Sequence, residues 1–175
     1  MEFTSVNKIF ENAFKKNWDR PAISNYQGVT LHFRDVARRM EKLHIMFEEC
    51  GLQKGHKVAI CSRNQANWAV AFLATMTYGA VPVPLLHEFK SANIHHLVNH
   101  SEEKILFVDD VIWEGLSESE MPDLQAIIQV NNFKLFLTDF TDDEIRHCVN
   151  SAYSDKNFAT ENIAEISHLF DGTYV

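Results

Sequence analysis

Residues 64–87 read NQANWAVAFLATMTYGAVPVPLLH, a stretch with no formal charge when His87 is neutral. A run of about 18 apolar residues is enough to suspect a membrane span, so the fold turns on whether this stretch sits in a bilayer or in a protein core. Its punctuation argues against the bilayer. Gly79, Pro82 and Pro84 interrupt a continuous helix, and the two prolines lack amide donors that a spanning helix uses internally. The uninterrupted part, residues 65–78, makes a helix of about 14 residues, too short to cross. The expectation is a buried helix stopped by Gly79, with Trp68, Phe72, Leu73 and Met76 in the core, followed at once by a short strand over residues 81–85.

Working outward, residues 57–62 (KVAICS) are apolar and β-branched enough for a central parallel strand feeding that helix. Upstream, Val36, Met40, Leu43, Phe47 and Cys50 are spaced as one helical stripe, with Arg38, Arg39, Glu41, Glu48 and Glu49 mostly off it. Gly51 stands where a helix needs a left-handed residue to stop, and Leu52 can fold back on the last turn. Before it, a helix over residues 6–14 precedes two short strands joined by a turn around Gln27 and Gly28. Downstream, Ser91 can cap a helix reaching His100, and KILFV (104–108) supplies another apolar strand. Residues 126–130 and 133–140 suggest two more strands joined at Asn131–Asn132. Thr141 and Glu144 have capping-box spacing for a helix over about 142–152. From residue 154 on, the partial stripe of Ile163, Ile166 and Phe170 looks like a segment in need of a partner. Helices alternating with short buried strands predict an α/β fold: a layered, mostly parallel sheet with flanking helices and an N-terminal β-hairpin, in one domain over residues 1–175.

Composition sets the outer limits. The chain has 175 residues, of which 46% are hydrophobic, enough for one sizeable core. A net charge of -8 disfavours nucleic acid and acidic lipid as partners. The N-terminus has no basic head followed by an apolar stretch, and Cys50, Cys61 and Cys148 have no CxxC spacing, which together point to the cytoplasm and to no zinc or disulfide framework.

Several constellations invite chemistry. His96 and His100 lie one helical turn apart, half of a zinc site, but Leu97 follows His96 where a hydrolytic HExxH helix has glutamate, and His87 is the one further candidate ligand. Surface histidines are the expected reading. Asp109 and Asp110 follow a strand, where open α/β sheets present ligands to magnesium or to acid–base chemistry; Asp110 is also placed to cap a helix beginning at Val111. Cys61 ends its strand with no basic partner beside it, as a small buried apolar residue would. No two of the six glycines are spaced for GxGxxG, and there is no GK[ST]. No catalytic, cofactor-binding or metal-binding residue is therefore expected in this chain.

The order of signals from His32 to Asp110 nevertheless resembles the N-terminal part of the acyl-adenylate-forming enzymes, the AMP-binding synthetase and ligase superfamily. An aromatic-x-acid-apolar helix start falls on Phe33, Asp35 and Val36; a glycine turn on Gly51, Leu52, Gly55 and Val58; a helix start on Asn64 and Trp68. A Gly-Ala-Val-x-x-Pro-Leu exit falls on residues 79–85, and a Ser-x-x-Lys strand start on Ser101 and Lys104. Three positions depart from the family: His32 in place of a Ser or Thr cap, His56 in place of Asp, and Asn67 in place of Glu.

The resemblance covers roughly residues 20–110. It implies a parent enzyme that uses ATP, Mg2+ and coenzyme A to turn a carboxylic acid, most naturally a fatty acid, into an adenylate and then a thioester. The family's phosphate loop ending in Pro-Lys-Gly and its later catalytic lysine have no counterpart here. The chain is therefore expected to be an inactive scaffold piece whose partner is the rest of the enzyme, and which self-associates through surface uncovered by truncation. The alternative is a non-catalytic α/β module that binds a protein or small ligand.

Overall fold

The computed structural model describes residues 5–137, 142–155 and 163–172. Helix α1 (Val6–Asn17) leads into an antiparallel hairpin, β1 (Pro21–Ser24) and β2 (Thr30–His32), and then α2 (Phe33–Glu49). Strand β3 (Lys57–Cys61), helix α3 (Ala66–Tyr78), strand β4 (Val81–Leu85), helix α4 (Ser91–His100) and strand β5 (Ile105–Val108) follow in strict alternation. A single turn, α5 (Asp110–Trp113), and a 3-10 turn (Glu118–Glu120) lead to β6 (Ala126–Gln129), β7 (Leu135–Leu137), α6 (Asp142–Asp155) and a 3-10 helix (Ile163–Phe170). The main sheet has the order β4-β3-β5-β6-β7; its first four strands are parallel and β7 is antiparallel.

Alternation along the central strands divides the core. Val58, Ile60, Ile105, Phe107 and Ile128 face α2 and α3, while Ala59, Cys61, Leu106, Val108 and Ile127 face α4 with Ile94 and Val98. Strand β4 is one edge of the sheet, and its prolines fit there. The Val81 amide bonds His56 inside the sheet at 2.8 Å, so Pro82, one residue on, directs its missing donor to the open side.

The expected stripe of α2 is buried, but the helix is covered far more widely: Ala37, Glu41, His44, Ile45 and Met46 are also buried, because α3, α6, α1 and the 3-10 helix all pack around it. Its first turn replaces the missing Ser or Thr cap with an acceptor from inside the helix, as Asp35 takes the His32 amide at 2.9 Å. Burial pushes the Asp35 carboxyl up, and the His32 bonds outweigh it and hold it below the ordinary range. His56 likewise serves its turn, its Nδ1 accepting from the Gln53 amide at 3.1 Å. At the other end Gly51 has φ +72°, and the Leu52 amide returns to Phe47 at 2.8 Å with Leu52 buried behind it.

Helix α3 stops at Gly79, φ +92°, as expected. Which residues it buries was not as expected. Val70, Ala71 and Ala74 are fully covered, whereas Trp68, Phe72, Leu73 and Met76 are half-buried at the margin, Trp68 stacked on Phe72 with ring centroids 5.4 Å apart. The sheet is approached so closely that only small side chains fit under the helix. Ser91 proves to be the first residue of α4, with Lys90 at the cap position. Helix α6 begins at Asp142 as expected and runs to Asp155; the Thr141 cap lies outside the described residues.

The C-terminal stripe finds its partner within the chain. Ile166, Leu169 and Phe170 are buried, Phe170 lies 5.4 Å from Phe14, and Asn7 donates to the Gly172 carbonyl at 3.2 Å. A Cβ at Gly172 would stand 2.0 Å from the Thr77 carbonyl, so this close approach requires glycine. Glu11 anchors the same contact: Lys15 and Lys8 each donate to it at 2.7 Å and Ser167 at 2.8 Å, and these bonds lower its carboxyl to about 2.

Glu103 is the opposite case. It is 1% exposed, neither carboxyl oxygen has a hydrogen-bond partner among the described residues, and burial raises it to about 8 despite Lys57. Its folded form holds a proton that the unfolded chain releases in the ordinary carboxyl range. Stability is therefore present below that range and is lost as pH rises toward about 8. Urea midpoints for the parent chain should fall between pH 5 and pH 8.5, and Glu103→Gln should flatten that slope and gain more than about 1 kcal/mol at the alkaline end.

Gly51 makes a second expectation. A Cβ there meets nothing within 4 Å, so any penalty comes from the backbone alone. Gly51→Val should cost about 1–2 kcal/mol and Gly51→Asn clearly less, read as separate melting temperatures for the two variants.

Candidate functional site

Strand β3 is bonded to β4 on one edge and to β5 on the other. Helix α3, on one face of the sheet, carries the chain out to β4, and α4, on the other face, carries it back past β3 to β5. The crossovers diverge between β3 and β5, and the carboxyl ends of those two strands flank the crevice where open α/β sheets receive ligands. Arg63 follows β3 and Asp109 follows β5, brought abreast by the register Cys61↔Val108.

Asp109 is 2% exposed and Arg63 lies over it, donating from Nε at 3.2 Å and from Nη2 at 3.3 Å. Asp109, not Asp110, is the cap residue of α5, and it accepts from the Val111 amide at 3.1 Å. The expectation that Asp110 caps a helix beginning at Val111 is corrected by one residue, because the strand ends at Val108 and the helical turn begins at Asp110 itself. Asp110 accepts from the same amide at 2.9 Å and from Asn131 Nδ2 at 3.2 Å. Gln65 completes the rim, donating to Ser62 Oγ at 3.0 Å and to Asn131 Oδ1 at 3.2 Å.

This chemistry is that of a brace. Burial pushes the Asp109 carboxyl up, but the Arg63 bonds and the Val111 amide outweigh it and hold it below the ordinary range, so it carries no proton to give near neutrality. Cys61 is fully buried, and its thiol is pushed up to about 11 by burial and by Asp109 and Glu103, which keeps it from acting as a thiolate. His96 and His100 stack 5.8 Å apart on the exposed side of α4, while His95 accepts from the Ser117 amide at 3.1 Å. His87 is exposed beside Glu88 at 4.0 Å. Among the described residues no three His, Cys, Asp or Glu side chains are grouped to hold a metal ion. No described helix is long and apolar enough to cross a membrane. Arg63 and Asn131 were not foreseen; they lie 46 and 21 residues from their partners, and only the strand register brings them together.

Residues 10–165 match the AMP-binding enzyme family. The chain belongs to that family. Among curated relatives it is 26% identical over 111 residues to long-chain-fatty-acid–CoA ligase 6 of Mus musculus, and 22% identical over 108 residues to surfactin synthase subunit 2 of Bacillus subtilis. These matches cover 59% and 62% of this chain but only 16% and 3% of the relatives. Among solved structures, a long-chain-fatty-acid–CoA ligase of Archaeoglobus fulgidus superposes with a TM-score of 0.66 at 20% identity, over 83% of this chain and 30% of that one. The NpsA N-terminal subdomain of Klebsiella oxytoca gives 0.64 at 20%, over 84% and 33%. The layered α/β fold with its mixed sheet is thus that of the N-terminal subdomain of adenylate-forming enzymes.

If Asp109 braces the β3–β5 rim, its ionised form stabilises the fold above the ordinary aspartate range, and that contribution is lost as pH falls through its lowered value. Asp109→Asn should cost about 1–3 kcal/mol at pH 7 in urea unfolding, and the difference from the parent chain should narrow at pH 3.

Proposed function

We propose that this chain is the N-terminal scaffold of an ATP-dependent acyl-CoA synthetase, an acid–thiol ligase acting on a fatty acid. The match of residues 10–165 to the AMP-binding enzyme family carries the proposal, and relatives named as long-chain-fatty-acid–CoA ligases support the acyl substrate. In the whole enzyme the carboxylate attacks ATP to give an acyl-adenylate and pyrophosphate, and the thiol of coenzyme A then displaces AMP. The scaffold's part is to hold the sheet and its carboxyl-end rim rigid beneath the nucleotide-binding remainder.

ATP, Mg2+ and coenzyme A belong to that remainder, because the described residues do not fit a polyphosphate. Phosphate recognition needs several amides, hydroxyls or cations converging on one point. At the rim, Arg63 is engaged by Asp109, with Asp110 beside it, and the left-handed glycines Gly51, Gly55 and Gly79 stand at helix ends and the turn into β3. On this reading residues 1–175 act as one domain, in the cytoplasm, and do not turn over substrate by themselves.

Calorimetry with ATP and magnesium, run beside a pyrophosphate-release assay with a fatty acid, should give no saturable heat and no turnover for residues 1–175. Micromolar ATP affinity or clear pyrophosphate release would overturn the scaffold reading. The coding sequence past Val175 supplies a second check: a Ser/Thr/Gly-rich loop ending in Lys-Gly supports a ligase, and an immediate stop codon supports a stand-alone binding module.

A further inference from the structure

Helix α4 presents His96 and His100 to solvent one turn apart, with ring planes 15° from parallel and centroids 5.8 Å apart. Beyond that stack, neither ring has a hydrogen-bond or ionic partner among the described residues. The neighbouring histidines are placed differently. His95 accepts from the Ser117 amide, and His87 lies after β4 beside Glu88.

The support beneath the pair is firm. Ile94 and Val98 are 1% and 2% exposed and seat the helix on the sheet, and Asn99 donates to the Glu120 carbonyl at 2.7 Å, which ties down the last turn. Two imidazoles four residues apart on one helical face need only turn about soft ring torsions to bring one nitrogen of each within about 2.0–2.1 Å of a shared ion. Once one ring has bound, the other acts at the high effective concentration of a tethered ligand, so the pair holds an ion far more tightly than either ring alone. Two further features favour a cation here. His100 is the last residue of α4, where the negative end of the helix dipole gathers, and the chain's net charge of -8 draws cations from a distance. Charge would serve any cation, but neutral imidazole suits zinc, copper and nickel and not the hard, oxygen-seeking Mg2+.

We propose that His96 and His100 form a two-ligand chelate for a borderline divalent cation such as Zn2+, with water in the remaining coordination positions. No third His, Cys, Asp or Glu among the described residues completes a closed zinc centre. The site is therefore an open one that loads and unloads with free metal, and the fold does not depend on its being filled.

The test is a titration of residues 1–175 with ZnCl2 in a neutral, non-chelating buffer, followed by the ring resonances of His96 and His100. MgCl2 is the control for charge alone, and His87→Asn is the control for a third ligand. Zn2+ should give saturable shifts of both rings at one equivalent and raise the melting temperature, while Mg2+ leaves both unchanged. Both histidines are exposed, so His96→Asn and His100→Asn leave the core intact, and each should weaken Zn2+ at least about tenfold by ending the chelation. His87→Asn should bind as the parent chain does. Absence of saturable shifts at the two rings, equal binding of Mg2+, unchanged Zn2+ affinity in His96→Asn or His100→Asn, or an equal loss in His87→Asn would each overturn the proposal.

Discussion

Parallel pairing on both edges of β3 is the constraint from which the rest of the molecule follows. A tight turn cannot join parallel strands, so each partner of β3 must be reached through a helical crossover, and right-handedness sends α3 and α4 to opposite faces. That arrangement buries β3 and β5 on both sides, which explains their unbroken apolar runs where an exposed sheet would alternate. It also leaves β4 as an edge, the position in which two prolines cost no ladder bond. Helix α3 must lie close to the sheet, and Ala71 and Ala74 make that approach possible at the cost of pushing Trp68 and Phe72 to the margin.

The buried carboxylates show how burial and the local supply of donors together decide ionisation. Glu11 and Glu103 are both covered, yet one is lowered to about 2 and the other raised to about 8. Three donors converge on Glu11, and none among the described residues reaches Glu103. Glu41, wholly buried in α2, receives the ring nitrogen of His168. Glu11 and Glu41 thus hold the C-terminal 3-10 helix onto α1 and α2 through polar bonds laid over the apolar contacts of Leu169 and Phe170.

What could be read from the sequence was what local periodicity encodes. The α2 stripe, the glycine stops at Gly51 and Gly79, the β3-to-β4 run and the Asn131–Asn132 turn are each written within one or two turns of chain. The misreadings share a different cause. Trp68, Phe72, Leu73 and Met76 looked like core because the whole short, uncharged helix reads as buried, but Val70, Ala71 and Ala74 are the side chains fully covered against the sheet. Ile166 and Phe170 looked unpartnered because their partner, α1, lies some 150 residues away in sequence, as the Asn7–Gly172 bond records with a separation of 165. The Arg63–Asp109 pair needed the β3–β5 register, which no single element specifies. By contrast, the family resemblance rested on the collinear order of many local signals, and so it was visible without any of these long-range facts.

The distribution of charge gives the two ends of the molecule different roles. At a distance the net charge of -8 repels polyanions, and at the strand rim Arg63 is already matched to Asp109. Beside α2 the local composition differs: Arg39, Lys42 and Arg146 line one cleft, and over a Debye length of about 8 Å a group feels its nearest charges more than the molecular average. That grouping comes from the packing of α2, because the same crowding that buries Leu43 and Met46 leaves Arg39 half-buried against the Asn67 amide.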